Sequence, residues 1–172
     1  AKMPILGPGI SSAAPLMLDY REILSDLYLE NKNLHQAQRM INLLYRKSFR
    51  YGNRDHLNYL PYLRASIRRW IYRGNLKAAS KRVNDIIRID KTLPRYHPEK
   101  IKNRNILYNY YILHGNYEKA YSALSQINSI KEYQLPEGSP ALVASRINII
   151  KHELEYEFKT ELEFSNTTEE DI

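Results

Sequence analysis

RGNLKAAS at residues 73–80 and HGNYEKAY at residues 114–121 are nearly the same phrase, 41 positions apart. A fainter copy, ENKNLHQAQ, begins at Glu30. Each copy separates two stretches in which apolar residues recur every three or four positions, which is the pattern of amphipathic helices. The chain is therefore expected to be one helical unit repeated three times.

The repeated phrase has the chemistry of a joint between two antiparallel helices. In Gly74-Asn75 and Gly115-Asn116, the glycine can adopt the left-handed conformation that ends a helix. The asparagine can then accept a hydrogen bond from the first free backbone N–H groups of the next helix. Lys32-Asn33 is a weaker version, because lysine adopts left-handed geometry at some cost. Each copy therefore predicts a tight helical hairpin.

Side chains around the joint repeat as well. An aromatic residue stands four positions before the glycine or lysine, and an alanine stands four positions after the asparagine. The small alanine lets the second helix approach the first, while the aromatic residue fills the groove between them. The structural repeat positions are the aromatic residues Tyr28, Trp70 and Tyr111, the joint residues Asn33, Gly74, Asn75, Gly115 and Asn116, and the alanines Ala37, Ala79 and Ala120.

Proline and serine mark further helix starts. Pro98 suits the first position of a helix, and Ser139 can cap a helix that begins at Pro140. Apolar residues alternate with glutamates over 153–158, which would suit a strand, but their four-residue spacing favours a helix. We expect an all-α array of about seven helices: a flexible lead-in at 1–15, a repeat domain at 16–163 and an acidic tail at 164–172. Its hairpins would span about 16–50, 55–90 and 98–130, with a capping helix at 140–163.

The second and third copies resemble tetratricopeptide repeats. Gly-Asn-Tyr-Glu-Lys-Ala at 115–120, preceded by Tyr111, is similar to the second half of such a repeat, as is Gly-Asn-Leu-Lys-Ala-Ala at 74–79, preceded by Trp70. The copies are longer than the family's repeat of about 34 residues. The chain thus resembles the tetratricopeptide-repeat-like (TPR-like) helical repeat superfamily, with degenerate repeats of lengthened period. An up-and-down helical bundle whose turns converged on Gly-Asn is the alternative.

Composition and charge limit the class of protein. The chain has 172 residues, no cysteine and a formal net charge of +7. Of its 26 basic and 19 acidic residues, 2 and 8 lie in residues 151–172, which leaves 24 and 11 in the first 150. No apolar run is long enough to span a membrane. We expect an intracellular protein, in the nucleus or cytoplasm rather than an organelle, that is neither secreted nor attached to a membrane.

Motifs for catalysis or metal binding are missing from the sequence. No histidine pair has the His-Glu-x-x-His spacing, and no serine lies in a nucleophile elbow. The glycines at positions 7 and 9 lack the Lys-Ser/Thr ending of a phosphate loop. We therefore expect no enzymatic activity, no metal and no cofactor. The scattered histidines are His35, His56, His97, His114 and His152.

The richest candidate binding stretch runs from residue 64 to residue 88. Arginines beside tyrosines suit contact with an acidic protein segment, and they also suit phosphate contact with base stacking. A solvated helical face is the third interpretation, and the sequence leaves all three open. The candidate partner-binding residues are Arg64, Arg68, Arg69, Tyr72, Arg73, Lys77, Lys81 and Arg82.

The resemblance to TPR-like proteins implies a non-catalytic scaffold for protein–protein interaction. We expect a subunit of a larger macromolecular assembly, of the kind found in transcription or RNA processing, with protein partners and with a basic face that could meet nucleic acid. The alternative is a direct RNA-binding protein of the pentatricopeptide or half-TPR type. A salt titration separates the two, because nucleic-acid affinity falls steeply with salt.

Overall fold

The structure of the chain, a computed structural model, describes the backbone of residues 13–51 and 56–169 and the side chains of residues 16–49 and 56–156. Residues 1–12 of the predicted lead-in and 170–172 of the predicted tail lie outside the described residues. All regular structure in the described part is helical, which confirms the all-α prediction. The helices are α1 (Ala13–Glu30), α2 (Leu34–Tyr51), α3 (Leu60–Tyr72, after a 3-10 turn at Leu57–Tyr59), α4 (Leu76–Thr92), α5 (Pro98–Leu113), α6 (Tyr117–Gln134) and α7 (Pro140–Glu169).

Two compact units divide the chain, residues 1–89 and residues 90–172. In the first unit, α1, α2 and α3 pack against one another, and in the second, α6 packs against both α5 and α7. The predicted boundaries of a single repeat domain at 16–163 stay a prediction. Buried core residues include Leu18, Ile41, Leu44, Leu63, Ile67 and Ile86 in the first unit, and Ile106, Leu107, Leu124, Ile127 and Leu142 in the second.

Each of the three predicted joints has the same hydrogen bonds. Lys32, Gly74 and Gly115 have positive φ angles of 57°, 68° and 67°. The N–H of the asparagine that follows donates to the carbonyl of the aromatic residue five positions earlier, at 2.7, 2.9 and 2.9 Å. This is the Schellman arrangement, which satisfies carbonyl groups at the end of a helix. The joint predicted from the repeated phrase is therefore confirmed in all three copies.

The joint asparagines also begin the next helices. Oδ1 of Asn33, Asn75 and Asn116 accepts a hydrogen bond from the N–H three residues later, at 3.2, 2.9 and 3.1 Å. These bonds satisfy N–H groups that have no partner within the helix. The alanines four positions after each asparagine, Ala37, Ala79 and Ala120, are all 0% exposed. Their burial agrees with the predicted close approach of the two helices.

Proline and histidine set the starts of α3 and α5. Pro61 and Pro98 lie in the first turns of these helices, where the missing N–H is not needed. Nδ1 of His56 accepts a hydrogen bond from the N–H two residues later at 3.1 Å, and Nδ1 of His97 does the same at 3.2 Å. Two of the scattered histidines therefore act as helix caps.

α7 is one continuous helix. Oγ of Ser139 accepts a hydrogen bond from the N–H of Leu142 at 3.3 Å, which confirms the predicted cap. Residues 153–158 are helical, because no glycine or proline interrupts the helix after Pro140. The helix also continues through residues 164–169, which the sequence had assigned to the acidic tail.

α3 is the most enclosed helix of the first unit. All its residues from Leu60 to Ile67 are buried, and it contacts both α1 and α2. An amphipathic surface helix would keep one side in water. A charged side chain in this segment therefore needs a partner inside the protein.

Candidate functional site

Arg64, the first of the predicted partner-binding residues, lies in the interior. Its side chain is 0% exposed, and its Nε and Nη2 donate to the two carboxylate oxygens of Glu22 at 2.8 and 2.7 Å. This bidentate, charge-assisted pairing compensates for burying both groups. Arg64 is not available to a partner, because the helix face that it shares with Arg68 turns toward α1, so its prediction as a surface residue is wrong.

Arg68 belongs to the same network and is only partly accessible. Its Nη1 donates to Oε1 of Glu22 and lies 2.8 Å from Oδ2 of Asp26. Burial raises the pKa of Asp26 to about 6, although the charge of Arg68 acts to lower it. The positive charges of Arg64 and Arg68 are thus met by carboxylates of the same chain.

The pairing of Glu22 and Asp26 with the arginines was not predicted from the sequence, although these residues occupy corresponding positions in the repeat. Glu22 and Arg64 both stand 11 residues before the joint asparagine of their copy, and Asp26 and Arg68 both stand 7 before it. α1 and α3 are the first helices of successive copies and contact each other, so equivalent positions meet. Comparing charges at equivalent positions would have revealed the pairing.

Three of the other predicted residues, Lys77, Lys81 and Arg82, line an open cleft on the α3–α4 hairpin. The cleft has a volume of about 380 Å³, and among the described residues its lining includes one aromatic ring and three cations but no carboxylate. We call it the basic cleft. Its lining residues are Trp70, Asn75, Lys77, Ala78, Lys81 and Arg82.

Arg69 adds positive charge beside Trp70. The Arg69 guanidinium lies 4.7 Å from the centre of the Trp70 ring, a cation–π contact. Partial burial, together with the nearby charge of Arg73, lowers the pKa of Arg69 from its usual value. Nε of Arg69 is buried and has no hydrogen-bond partner in the described part of the chain.

Arg82 and Tyr72 differ in their relation to the basic cleft. The Arg82 guanidinium lies 5.6 Å from the Tyr62 ring centre and 3.7 Å from a carboxylate oxygen of Asp85, so packing restrains it at the edge of the cleft. Tyr72 is 45% exposed but is not part of the lining. Of the predicted residues, Lys77, Lys81 and Arg82 therefore line the basic cleft, and Arg69 contacts the lining residue Trp70. Arg68, Tyr72 and Arg73 are not part of the lining.

The basic cleft has the chemistry of an anion-binding surface. Guanidinium and ammonium groups form their strongest hydrogen bonds with carboxylates and phosphates, and an indole offers a flat apolar contact. In the described part of the chain, no cluster of histidine and acidic side chains could hold a metal ion. None of the helices there is long and apolar enough to cross a membrane.

Comparisons with known proteins identify the fold. No protein-family model matches the chain, and no curated protein matches it. Two crystal structures from Podosopora anserina, described as a kinesin light chain with nearly identical TPR-like repeats, are similar to it. One superposes with a TM-score of 0.64 and the other, a variant of the same protein, with 0.62. Both are 20% identical and cover 80% of this chain.

The likeness confirms the predicted architecture. The chain has a TPR-like helical repeat fold, as its repeated joints predicted. It spans 66% of the length of each similar structure, which is just under two thirds. At this level of identity the likeness shows the fold alone, so function has to be argued from the chain's own surface.

Proposed function

We propose that this protein is a non-catalytic interaction scaffold whose basic cleft binds an acidic segment of a protein partner. The observation that carries the proposal is the composition of the cleft. Trp70, Lys77 and Lys81 line it, and no carboxylate from the part of the chain that the structure describes does so. Elsewhere in the same unit, Arg64 and Arg68 are paired with carboxylates of the chain itself. Arg82 is paired with Asp85, so Lys77 and Lys81 are the cations of the cleft that would meet an external partner.

The open shape of the basic cleft favours contact with several side chains of an extended peptide over enclosure of a small ligand. It is an open groove on a helical hairpin, and the exposed lysines can move to meet carboxylates at several spacings. Trp70 supplies the aromatic anchor that is typical of interface centres. The scaffold would act within a larger intracellular assembly, of the kind that serves transcription or RNA processing.

A charge-reversal experiment tests the proposal. A fluorescently labelled glutamate-rich peptide is titrated with the protein, and the change in anisotropy gives the dissociation constant. We expect Lys77→Glu and Lys81→Glu each to weaken binding roughly fivefold, about 1 kcal/mol. Lys91→Glu is the control, because Lys91 is exposed on the same helix but does not line the cleft. Equal affinity of all four proteins would refute the proposal.

Direct RNA binding is the second candidate, because Trp70 beside Arg69 could stack a base while the lysines contact phosphates. Single-stranded RNA would then bind with a slope of about −0.7 per phosphate contact in log K against log salt. The two candidates are separated by competition at about 150 mM salt. If RNA displaces the acidic peptide at a lower concentration than unlabelled peptide does, the RNA-binding function replaces the scaffold function.

A further inference from the structure

A second cleft, of about 300 Å³, lies within residues 90–172 between α6 and α7. Its described lining contains aromatic rings and two carboxylates, with no lysine or arginine from the side chains of residues 16–49 and 56–156. It therefore has the opposite charge preference from the basic cleft. We call it the aromatic cleft, and its lining residues are Tyr117, Glu118, Tyr121, His152, Glu153 and Tyr156.

His152 connects the two helices that form the aromatic cleft. It is 4% exposed, and its Nε2 lies 3.2 Å from the backbone carbonyl oxygen of Tyr117. A carbonyl oxygen can only accept, so Nε2 carries the proton and donates it, which ties α7 to the first turn of α6. The ring centres of Tyr108, Tyr117 and Tyr121 lie 5.8, 6.4 and 6.2 Å from that of His152. The aromatic rings are thus held in place before any ligand arrives.

The aromatic rings and carboxylates together create a negative surface. The Tyr117 and Tyr156 rings are 5.5 Å apart at an angle of 47°, so they do not cover each other as a parallel stack would. The hydroxyl of Tyr121 hydrogen-bonds to Glu153, and this bond and the charge of Glu153 raise the pKa of Tyr121. Glu118 and Glu153 add formal negative charge beside ring faces that are themselves electron-rich.

We propose that the aromatic cleft binds a cationic side chain, an arginine or a lysine, of a protein partner. Ring faces and carboxylates both attract a cation, and a guanidinium or ammonium group can contact both together. The volume is at the lower end of the range for ligand sites, which suits one side chain. Lys119 does not line the cleft, and its ammonium lies 5.8 Å from the Tyr111 ring centre instead. Phosphate groups would be repelled by Glu118 and Glu153.

This inference is independent of the proposed function of the basic cleft. The basic cleft would accept acidic groups through residues 69–82, whereas the aromatic cleft would accept basic groups through residues 117–156. A negative result at one cleft would refute the proposal for that cleft and would not affect the proposal for the other. A partner with separate acidic and basic segments would then contact the scaffold at two points.

Titration with short peptides tests the aromatic cleft. The probes are acetyl-Gly-X-Gly-amide peptides in which X is arginine, trimethyllysine, norleucine or glutamate. Ring resonances of Tyr117, Tyr121 and Tyr156 are followed by carbon–proton correlation spectra of the full chain. We expect saturable shifts with at least one of the two cationic peptides at up to about 10 mM, and none with norleucine or glutamate. Comparison of arginine with trimethyllysine identifies the preferred cation.

Two variants and a control decide the outcome. Glu153→Gln keeps the shape of the side chain and removes its charge, and Tyr121→Leu removes an aromatic face. Each should weaken binding of the cationic peptide by roughly threefold. Glu137→Gln changes an exposed glutamate in the α6–α7 connection and should leave affinity unchanged. If Tyr121→Leu loses its folded spectrum, Glu153→Gln alone decides. Wild-type affinity in Glu153→Gln, equal binding of norleucine, or no shift with either cation would overturn the proposal.

Discussion

Replacing Glu22 by glutamine should strongly destabilise the first unit. The substitution leaves the shape of the side chain but removes the charge that compensates Arg64, whose side chain is 0% exposed. It also turns an amide NH₂ toward guanidinium donors, because Glu22 accepts hydrogen bonds from Arg64 at 2.8 and 2.7 Å and from Arg68 at 2.8 Å. Removing one partner of a buried ion pair costs about 3–5 kcal/mol, so we expect a loss in this range.

Chemical denaturation followed by tryptophan fluorescence measures this loss. Trp70 is the only tryptophan in the chain and lies on α3, the helix that carries Arg64. Asp85→Asn is the control, because Asp85 forms surface pairs one turn apart on α4 and should cost less than about 1 kcal/mol. In the double variant Glu22→Gln with Arg64→Met, we expect about 2 kcal/mol of the summed losses to be recovered. A cost for Glu22→Gln as small as that of Asp85→Asn would refute the buried pair.

Three further predictions concern the joints and the acidic residues. Lys32 has a left-handed φ angle of 57°, so Lys32→Gly should stabilise the protein by about 0.5–1 kcal/mol in denaturant titrations. Gly74→Ala should destabilise it by about 1 kcal/mol. Effects of the same sign would contradict the equivalence of the joints. Ala79→Leu and Ala120→Leu should each overpack a hairpin and cost about 1–3 kcal/mol, and unchanged melting temperatures for both would count against the repeat alignment. The pKa of Asp26 is about 6 in the folded state and about 3.9 in the unfolded state. Between these pH values the folded state binds more protons than the unfolded state. The free energy of unfolding should therefore fall by about 1–2 kcal/mol as pH rises from about 4 to about 6. Asp26→Asn should remove this fall, and an identical pH profile for the variant would contradict the raised pKa.

The joints could be predicted from the sequence because their causes are local. Gly74 takes a left-handed conformation and Asn75 caps the next helix, through hydrogen bonds between residues within five positions of each other. The same holds for Pro98 and Ser139 at their helix starts. Local sequence therefore predicted the seven α-helices of the described residues and the helix ends at the joints, at Pro98 and at Pro140.

The location of the arginines could not be predicted in the same way. Arg64 and Arg68 share one helix face in the sequence, but whether that face meets water or α1 depends on packing between helices of different repeats. The pairing of Glu22 with Arg64 joins residues 42 positions apart. Of the residues predicted to bind a partner, Lys77, Lys81 and Arg82 line the basic cleft and Tyr72 does not, and partner binding by these residues stays a prediction.

A charge swap at the basic cleft tests most directly whether this cleft selects acidic partners. The double variant with Lys77→Glu and Lys81→Glu is titrated with a glutamate-rich peptide and, separately, with a lysine-rich peptide of the same length. Both affinities are compared with those of the wild-type chain. We expect the wild-type chain to bind the acidic peptide with the higher affinity and the variant to bind the basic peptide with the higher affinity. An unchanged preference for the acidic peptide in the variant would contradict this expectation.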